Sequence, residues 1–160
     1  MNSNSKLIGV IGGSQCSPEV YELAREVGAE IAQRGAAVVC GGLFGVMEAA
    51  CRGAKENGGF TLGILPGTSA AEANAFVDLK IVTGLREGRN MIIAYTAHAL
   101  IAIDGAFGTL SEIAFGLNFH KPVIGLRADF EVAGMRHANS PAEAVAQALR
   151  LSATEDSAHV

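Results

Sequence analysis

Short apolar runs alternate with amphipathic stretches along the chain, and the alternation predicts its elements in order. "KLIGVIGG" (6–13) reads as a strand ending at glycines. Ser17 then caps a helix with Pro18 at its first position and Glu19 in its first turn. Val20, Leu23, Ala24, Val27 and Ile31 give that helix its apolar stripe, and Gly35 closes it. "AAVVC" (36–40) is a second strand, followed by "GGLFG" and a helix from about Val46 to Asn57. Gly58-Gly59 stops this helix, and "FTLGIL" (60–65) is the third strand, ending at Pro66-Gly67. Residues 68–75 are small and polar and read as a loop. "FVDLKIV" (76–82) is a fourth strand, with Asp78 and Lys80 suggesting a sheet edge or a partly exposed face.

A helix from about Arg86 to Ala97 precedes the fifth strand, "ALIAI" (99–103), and another from about Thr109 to Phe119 precedes "PVIGL" (122–126). Ser140-Pro141-Ala142-Glu143 is a capping box that starts a last helix running to about Arg150. The polar tail, 151–160, is expected to fray. Strand–helix alternation of this kind means βαβ units and a doubly wound, mainly parallel α/β sheet covered by helices on both faces. With no repeat and no linker, residues 1–160 read as one domain.

Composition sharpens this picture. A hydrophobic share of 49% and a mean hydropathy of +0.30 favour elements buried on both faces. A chain this short and this apolar is expected to bury some helix faces against a second copy, as a dimer or tetramer. The helices around Met91–Tyr95 and Ile113–Phe119 are the candidates. No apolar stretch reaches the roughly 18 residues of a membrane span, and Met1–Lys6 lacks the basic start and apolar core of a signal peptide. The expectation is a cytoplasmic protein. Cys16, Cys40 and Cys51 are odd in number and without CxxC spacing, so they suggest neither a disulfide framework nor a metal site. A net charge of −4 argues against a nucleic-acid partner, since nothing supplies a basic stripe.

Three predicted strand ends carry glycine clusters: "GGSQCS" (12–17), "GGLFGVM" (41–47) and "DGAFGT" (104–109). Each opens into a helix, and all fall on the carboxyl edge, where such sheets bind ligands. Glycine permits close backbone approach, and a helix N-terminus offers free N–H groups, a combination suited to phosphate. The same glycines could merely make tight turns; three clusters on one edge favour a shared site. The candidates are Gly13, Ser14, Gly41, Gly42, Gly45, Met47, Gly105, Gly108 and Thr109. No cluster is a GK[ST] phosphate loop or a GxGxxG fingerprint.

In "REGRNMIIAYTA", between Gly84 and the fifth strand, Arg86, Arg89 and Asn90 share one helix side and suit a phosphate or carboxylate. Thr109-Leu110-Ser111-Glu112 fits a capping box, in which Glu112 would bond the Thr109 N–H. A glutamate beside a glycine loop could equally serve as general acid or base.

Together, "GGSQCSPEVYELAREVGAEIAQRG", "VVCGGLFGVMEAACRGAKENGGFTLGILPG" and "GRNMIIAYTAHALIAIDGAFGTLSE" resemble the Lonely Guy family and its relatives. That family includes phosphoribohydrolases that cleave cytokinin nucleoside 5'-monophosphates, and proteins long mislabelled lysine decarboxylases. The resemblance covers about Ile8 to Leu126 and implies a Rossmann-like three-layer sandwich, usually dimeric or larger. Carried over by position, the enzymes' essential arginine falls on Arg89 and their glutamate on Glu112. The loop holding the ribose phosphate falls on Gly105, Ala106, Gly108 and Thr109. Glu112 would stabilise an oxocarbenium-like state, and Arg89 would orient the sugar phosphate or the leaving base.

Two positions depart from the enzymes. Asp104-Gly105-Ala106 replaces Pro-Gly-Gly, adding negative charge near the phosphate loop. Asn90 replaces the lysine that follows the arginine. With Ala73-Asn74 in the preceding loop, these features resemble a short sister branch that includes the molybdenum cofactor carrier proteins, which bind a pterin phosphate. The implied function is a site for a nucleotide-like phosphorylated ligand. It would be either a nucleoside 5'-monophosphate phosphoribohydrolase or a carrier of molybdenum cofactor or a related pterin, needing no cofactor of its own. A pyridoxal-phosphate decarboxylase is set aside, because Lys6, Lys55, Lys80 and Lys121 all lie outside the glycine loops.

Overall fold

The computed structural model describes residues 6–128 and 130–156. Its strands are β1 (Leu7–Gly12), β2 (Ala37–Cys40), β3 (Thr61–Leu65), β4 (Leu79–Val82), β5 (Ala99–Ile103), β6 (Val123–Leu126) and β7 (Arg136–Ala138). Its α-helices are α1 (Pro18–Gln33), α2 (Val46–Glu56), α3 (Arg89–Thr96), α4 (Phe107–Asn118) and α5 (Pro141–Asp156). All strands pair in parallel in one sheet of order β4-β3-β2-β1-β5-β6-β7. The expected doubly wound α/β sandwich is the architecture found. Chain order reverses between β1 and β5, which opens a crevice at their carboxyl ends.

The central strands are buried from both sides, and their pleat deals alternate residues to two cores. Val38, Cys40, Ile101 and Ile103 pack with α1, α2 and α5. Val39, Leu100 and Ala102 pack with Ile93 of α3 and Ile113 of α4 on the other face. This explains the unbroken apolar runs of β2 and β5. Helices α1 and α2 touch backbone to backbone. A Cβ on Gly28 would strike the Ala50 carbonyl, and one on Gly53 would strike the Arg25 carbonyl.

Ser17 caps α1, its Oγ accepting from the Val20 N–H at 3.2 Å, and of the two places suggested by Asp78 and Lys80, a sheet edge or a partly exposed face, β4 takes the edge. Several expectations need correction. β4 begins at Leu79, because Asp78 instead accepts from the Thr61 N–H at 3.0 Å and from Lys55 Nζ at 2.7 Å. The helix expected from Arg86 starts as a 3-10 turn, 86–88, with Arg86 at φ +52°, and becomes α3 only at Arg89. α4 begins at Phe107 rather than Thr109. Strand β7, with Arg136 and His137 exposed, lacks the apolar signature that would have marked it. α5 continues through 151–156 instead of fraying at 151, and its turn near Ser152 is tied to Lys6, whose Nζ donates to the Ser152 carbonyl at 3.4 Å. The rest of the expected frayed tail, 157–160, lies outside the described residues.

Gly53→Ala tests the α1–α2 contact. Its methyl must push the Arg25 carbonyl away, so the expected loss is about 1–3 kcal/mol of folding stability, read from the urea midpoint. An unchanged midpoint would show that the two helices separate freely.

Candidate functional site

A cavity of about 330 Å³ opens at the carboxyl edge beside the crevice between β1 and β5. The end of β1 contributes Ile11, Gly12, Gly13 and Ser14, and the second glycine loop and α2 contribute Leu43 and Met47. Pro66 after β3, Arg86, Glu87, Arg89 and Asn90 before and in α3, and Ala106, Gly108, Thr109 and Glu112 at the start of α4 close it. The first turn of α4 faces this space with no side chain capping it, so its N–H groups are available to an anion.

Arg89, the first residue of α3, is 7% exposed. Its guanidinium lies on the backbone of Gly41, where any Cβ would collide with it. Nη1 donates to Asn90 Oδ1 at 2.7 Å, whereas Nε is buried and has no hydrogen-bond partner among the described residues. A buried, unmet donor on a charged group is costly, and a ligand oxygen would satisfy it. Burial lowers the Arg89 pKa from its ordinary value, with Glu112 opposing the shift.

Glu112 lies on the next helix, 6% exposed, with Oε1 at 3.6 Å from Arg89 Nη1. That separation is too long for a hydrogen bond. Desolvation therefore outweighs attraction to Arg89 and pushes the carboxyl up to about 8. At neutral pH Glu112 is a neutral acid. The expected capping box is not formed, because α4 starts two residues earlier, with Ala106 at the cap, and places Glu112 inside the helix. With Glu112 protonated, the charged side chains lining the cavity are Arg86 and Arg89 against Glu87.

The structure brings together Gly13, Ser14, Met47, Arg86, Arg89, Asn90, Gly108, Thr109 and Glu112. Asn90 lines the cavity with its amide already committed. Oδ1 accepts from Arg89, and Nδ2 donates to Ser111 Oγ at 3.0 Å and to the Gly108 carbonyl at 3.4 Å. It thereby orients Arg89 and ties α3 to α4.

Gly41, Gly42, Gly45 and Gly105 are outside the lining and answer packing demands instead. Gly41 accommodates Arg89. Gly45, at φ +62°, crosses directly over Gly13 and Ser14, and the next N–H, of Val46, donates to the Gly13 carbonyl at 3.0 Å. Gly42 is pinned by Asn74, whose Nδ2 donates to the Gly42 and Leu43 carbonyls at 3.2 and 2.6 Å. Gly105, at φ +113°, lies under Thr109. Asp104 also stays out of the lining. Sequence reasoning missed Ile11, Pro66 and Glu87. Ile11 and Pro66 border strand ends on the glycine-bearing edge, which was the available signal; Glu87 stood between two candidates.

A sequence model described as the SLOG cluster4 family matches residues 5–155. An uncharacterized protein of Archaeoglobus fulgidus is 44% identical over 138 residues, covering 86% of this chain and 91% of that protein. A cytokinin riboside 5'-monophosphate phosphoribohydrolase of Mycobacterium marinum is 36% identical over 99 residues, which are 60% of this chain and 53% of the enzyme. The match thus spans about half of that enzyme's length. The structure of a molybdenum cofactor binding protein from Rippkaea orientalis superimposes with a TM-score of 0.87 at 34% identity, covering 93% of this chain and 98% of that one.

The raised Glu112 pKa has a consequence for folding. The unfolded carboxyl titrates near its ordinary 4.5 and the folded one near 8. The stability tied to this group is fully present below about pH 4.5 and is lost as pH rises to 8. Glu112→Gln, neutral throughout, is expected to be more stable than wild type at pH 8 by an order of a few kcal/mol, with the gain shrinking toward pH 5. Denaturant titrations across that range check it. A pH-independent difference would mean that Glu112 is ionised in the fold.

Proposed function

Because the chain belongs to the SLOG cluster4 family, we propose that its cavity binds a nucleotide-like phosphorylated ligand and hydrolyses the N-glycosidic bond of a nucleoside 5'-monophosphate. The observation that carries this reading is the pairing, in one cavity, of an acid protonated at neutral pH with a buried arginine whose Nε lacks an acceptor. The N-terminal N–H groups of α4 and the guanidinium groups of Arg86 and Arg89 hold the ligand's anionic oxygens. Glu112 gives its proton to the leaving base as the C1'–N bond breaks. Water then bonds to C1', and its released proton restores Glu112. Protonated, Glu112 serves as general acid rather than as the charge partner of an oxocarbenium ion.

A second reading is a carrier of molybdenum cofactor or a related pterin phosphate. It is favoured by the full-length superposition on the Rippkaea orientalis protein, against a half-length match to the phosphoribohydrolase. The same anion contacts would hold the pterin phosphate, with no bond broken.

The two readings part in an assay of free base released from AMP. Under the first, Glu112→Gln lowers turnover on the order of 10²-fold with little change in AMP binding, and the wild-type rate falls above about pH 8 as the acid ionises. Arg89→Ala weakens binding as well. Equal background rates for wild type and Glu112→Gln would overturn the enzyme and leave the carrier.

The reading also includes a homo-oligomer. Met91 and Tyr95 are 46% and 69% exposed on α3. Tyr95 stands edge-on to Phe119, with ring centroids 5.0 Å apart, and Phe119 stacks on Phe115 of α4. This apolar strip supports an interface on the α3–α4 face, with Ile113 buried beneath it. Light scattering is expected to give at least a dimer at micromolar concentration, and Tyr95→Glu to shift it to monomer. A monomeric wild type would remove the interface.

A further inference from the structure

Cys40 ends β2 and Cys51 lies in α2, and both are fully buried. Their Sγ atoms are 3.5 Å apart, and neither residue lines the cavity. Closing that contact to a bond of about 2.05 Å takes roughly 1.5 Å of approach, within reach of small side-chain and helix adjustments. The Gly42 N–H donates to Cys40 Sγ at 3.3 Å. On the adjoining Gly41 lies the Arg89 guanidinium. One sulfur therefore has two features that favour a thiolate, and the other is positioned to attack it.

We propose that Cys40 and Cys51 are an oxidisable dithiol, which a small peroxide converts to an intramolecular disulfide beneath the second glycine loop. The Cys40 thiolate attacks one oxygen of hydrogen peroxide, the O–O bond breaks, and the products are a sulfenic acid and, after proton transfer, water. Cys51 sulfur then attacks the sulfenic sulfur. The S–S bond forms, the S–O bond breaks, and the hydroxide leaves as water with the Cys51 proton. The two sulfurs give up two electrons in all, and the peroxide takes them.

Burial shapes the selectivity. The contact between the two sulfurs, together with burial, raises the Cys51 pKa, and the same contact lowers that of Cys40. Bulky thiol reagents are excluded from both and reach only Cys16, which is half-buried. A small neutral peroxide, or a brief local opening, is needed for the pair. The bridge would enclose residues 41–50, including Leu43 and Met47 of the cavity wall. It would fasten the loop over Gly41 to α2. The inference stands whichever ligand the cavity takes.

The test treats the full chain with hydrogen peroxide, quenches it, unfolds it in denaturant with an alkylating agent and maps the peptides. The expected result is a Cys40–Cys51 linked peptide, a fall in free thiols from three to Cys16 alone, and recovery with dithiothreitol. Cys16→Ser is expected to retain the link, and Cys51→Ala to lose it and carry higher oxides on Cys40. Full alkylation of Cys40 and Cys51 under peroxide that has already oxidised Cys16 would overturn the proposal. So would a peptide map whose sole link joins Cys16 of two chains, with Cys40 and Cys51 both recovered as free thiols.

Discussion

The burial of one guanidinium against bare backbone organises this molecule's carboxyl edge. Arg89 can lie flat only because residue 41 has no side chain, and it points correctly only because Asn90 accepts from Nη1. Asn90 can do so only while Ser111 and the Gly108 carbonyl hold its other end. The starts of α3 and α4 are thereby tied together through a single arginine. Taking a charged group out of water in this way is unfavourable by itself, and the unmet Nε shows that the protein's own groups do not fully compensate.

The same dry environment decides the state of Glu112. A carboxylate 3.6 Å from a guanidinium would ordinarily be read as half of an ion pair. Here the loss of solvent is the larger effect, so the proton stays on. The site is then cationic plus acidic rather than neutralised, a combination that tolerates a phosphate without repelling it. Asp104, which by sequence threatened such a ligand, is kept out of the cavity wall.

Much of this was legible from residue order. The apolar runs of β2, β3 and β5 are buried on both faces, so their strand assignment depended on nothing distant. The carboxyl-edge glycines, Arg89 and Glu112 were all marked in advance as a group on one edge. What sequence could not separate was the glycines facing the cavity from those answering a neighbour. Gly41 and Gly45 are small because of Arg89 and Ser14, partners 48 and 31 positions away. Glu112 read as a cap because Thr109 stands three residues before it. The true start at Phe107 has no capping side chain to announce it. β7 was invisible for a related reason, since it is three residues long and mostly exposed.

The glycine contact between α1 and α2 gives the cavity two unlike halves. The loops after β1 and β2 each run into one of these helices, and the helices are interlocked at Gly28 and Gly53 with no side chain between them to act as a cushion. Those loops are therefore joined to one another through packed backbone, further bolted by the Val46 N–H to the Gly13 carbonyl. The opposite half hangs on α3 and α4, whose mutual registration passes through rotatable side chains. A ligand that fitted imperfectly would be met on that second half, by breaking the Arg89–Asn90–Ser111 hydrogen bonds rather than by displacing backbone. Divergence in ligand choice among proteins built this way would accordingly accumulate in the α3–α4 half, while the first two loops act as the fixed jaw of a vice.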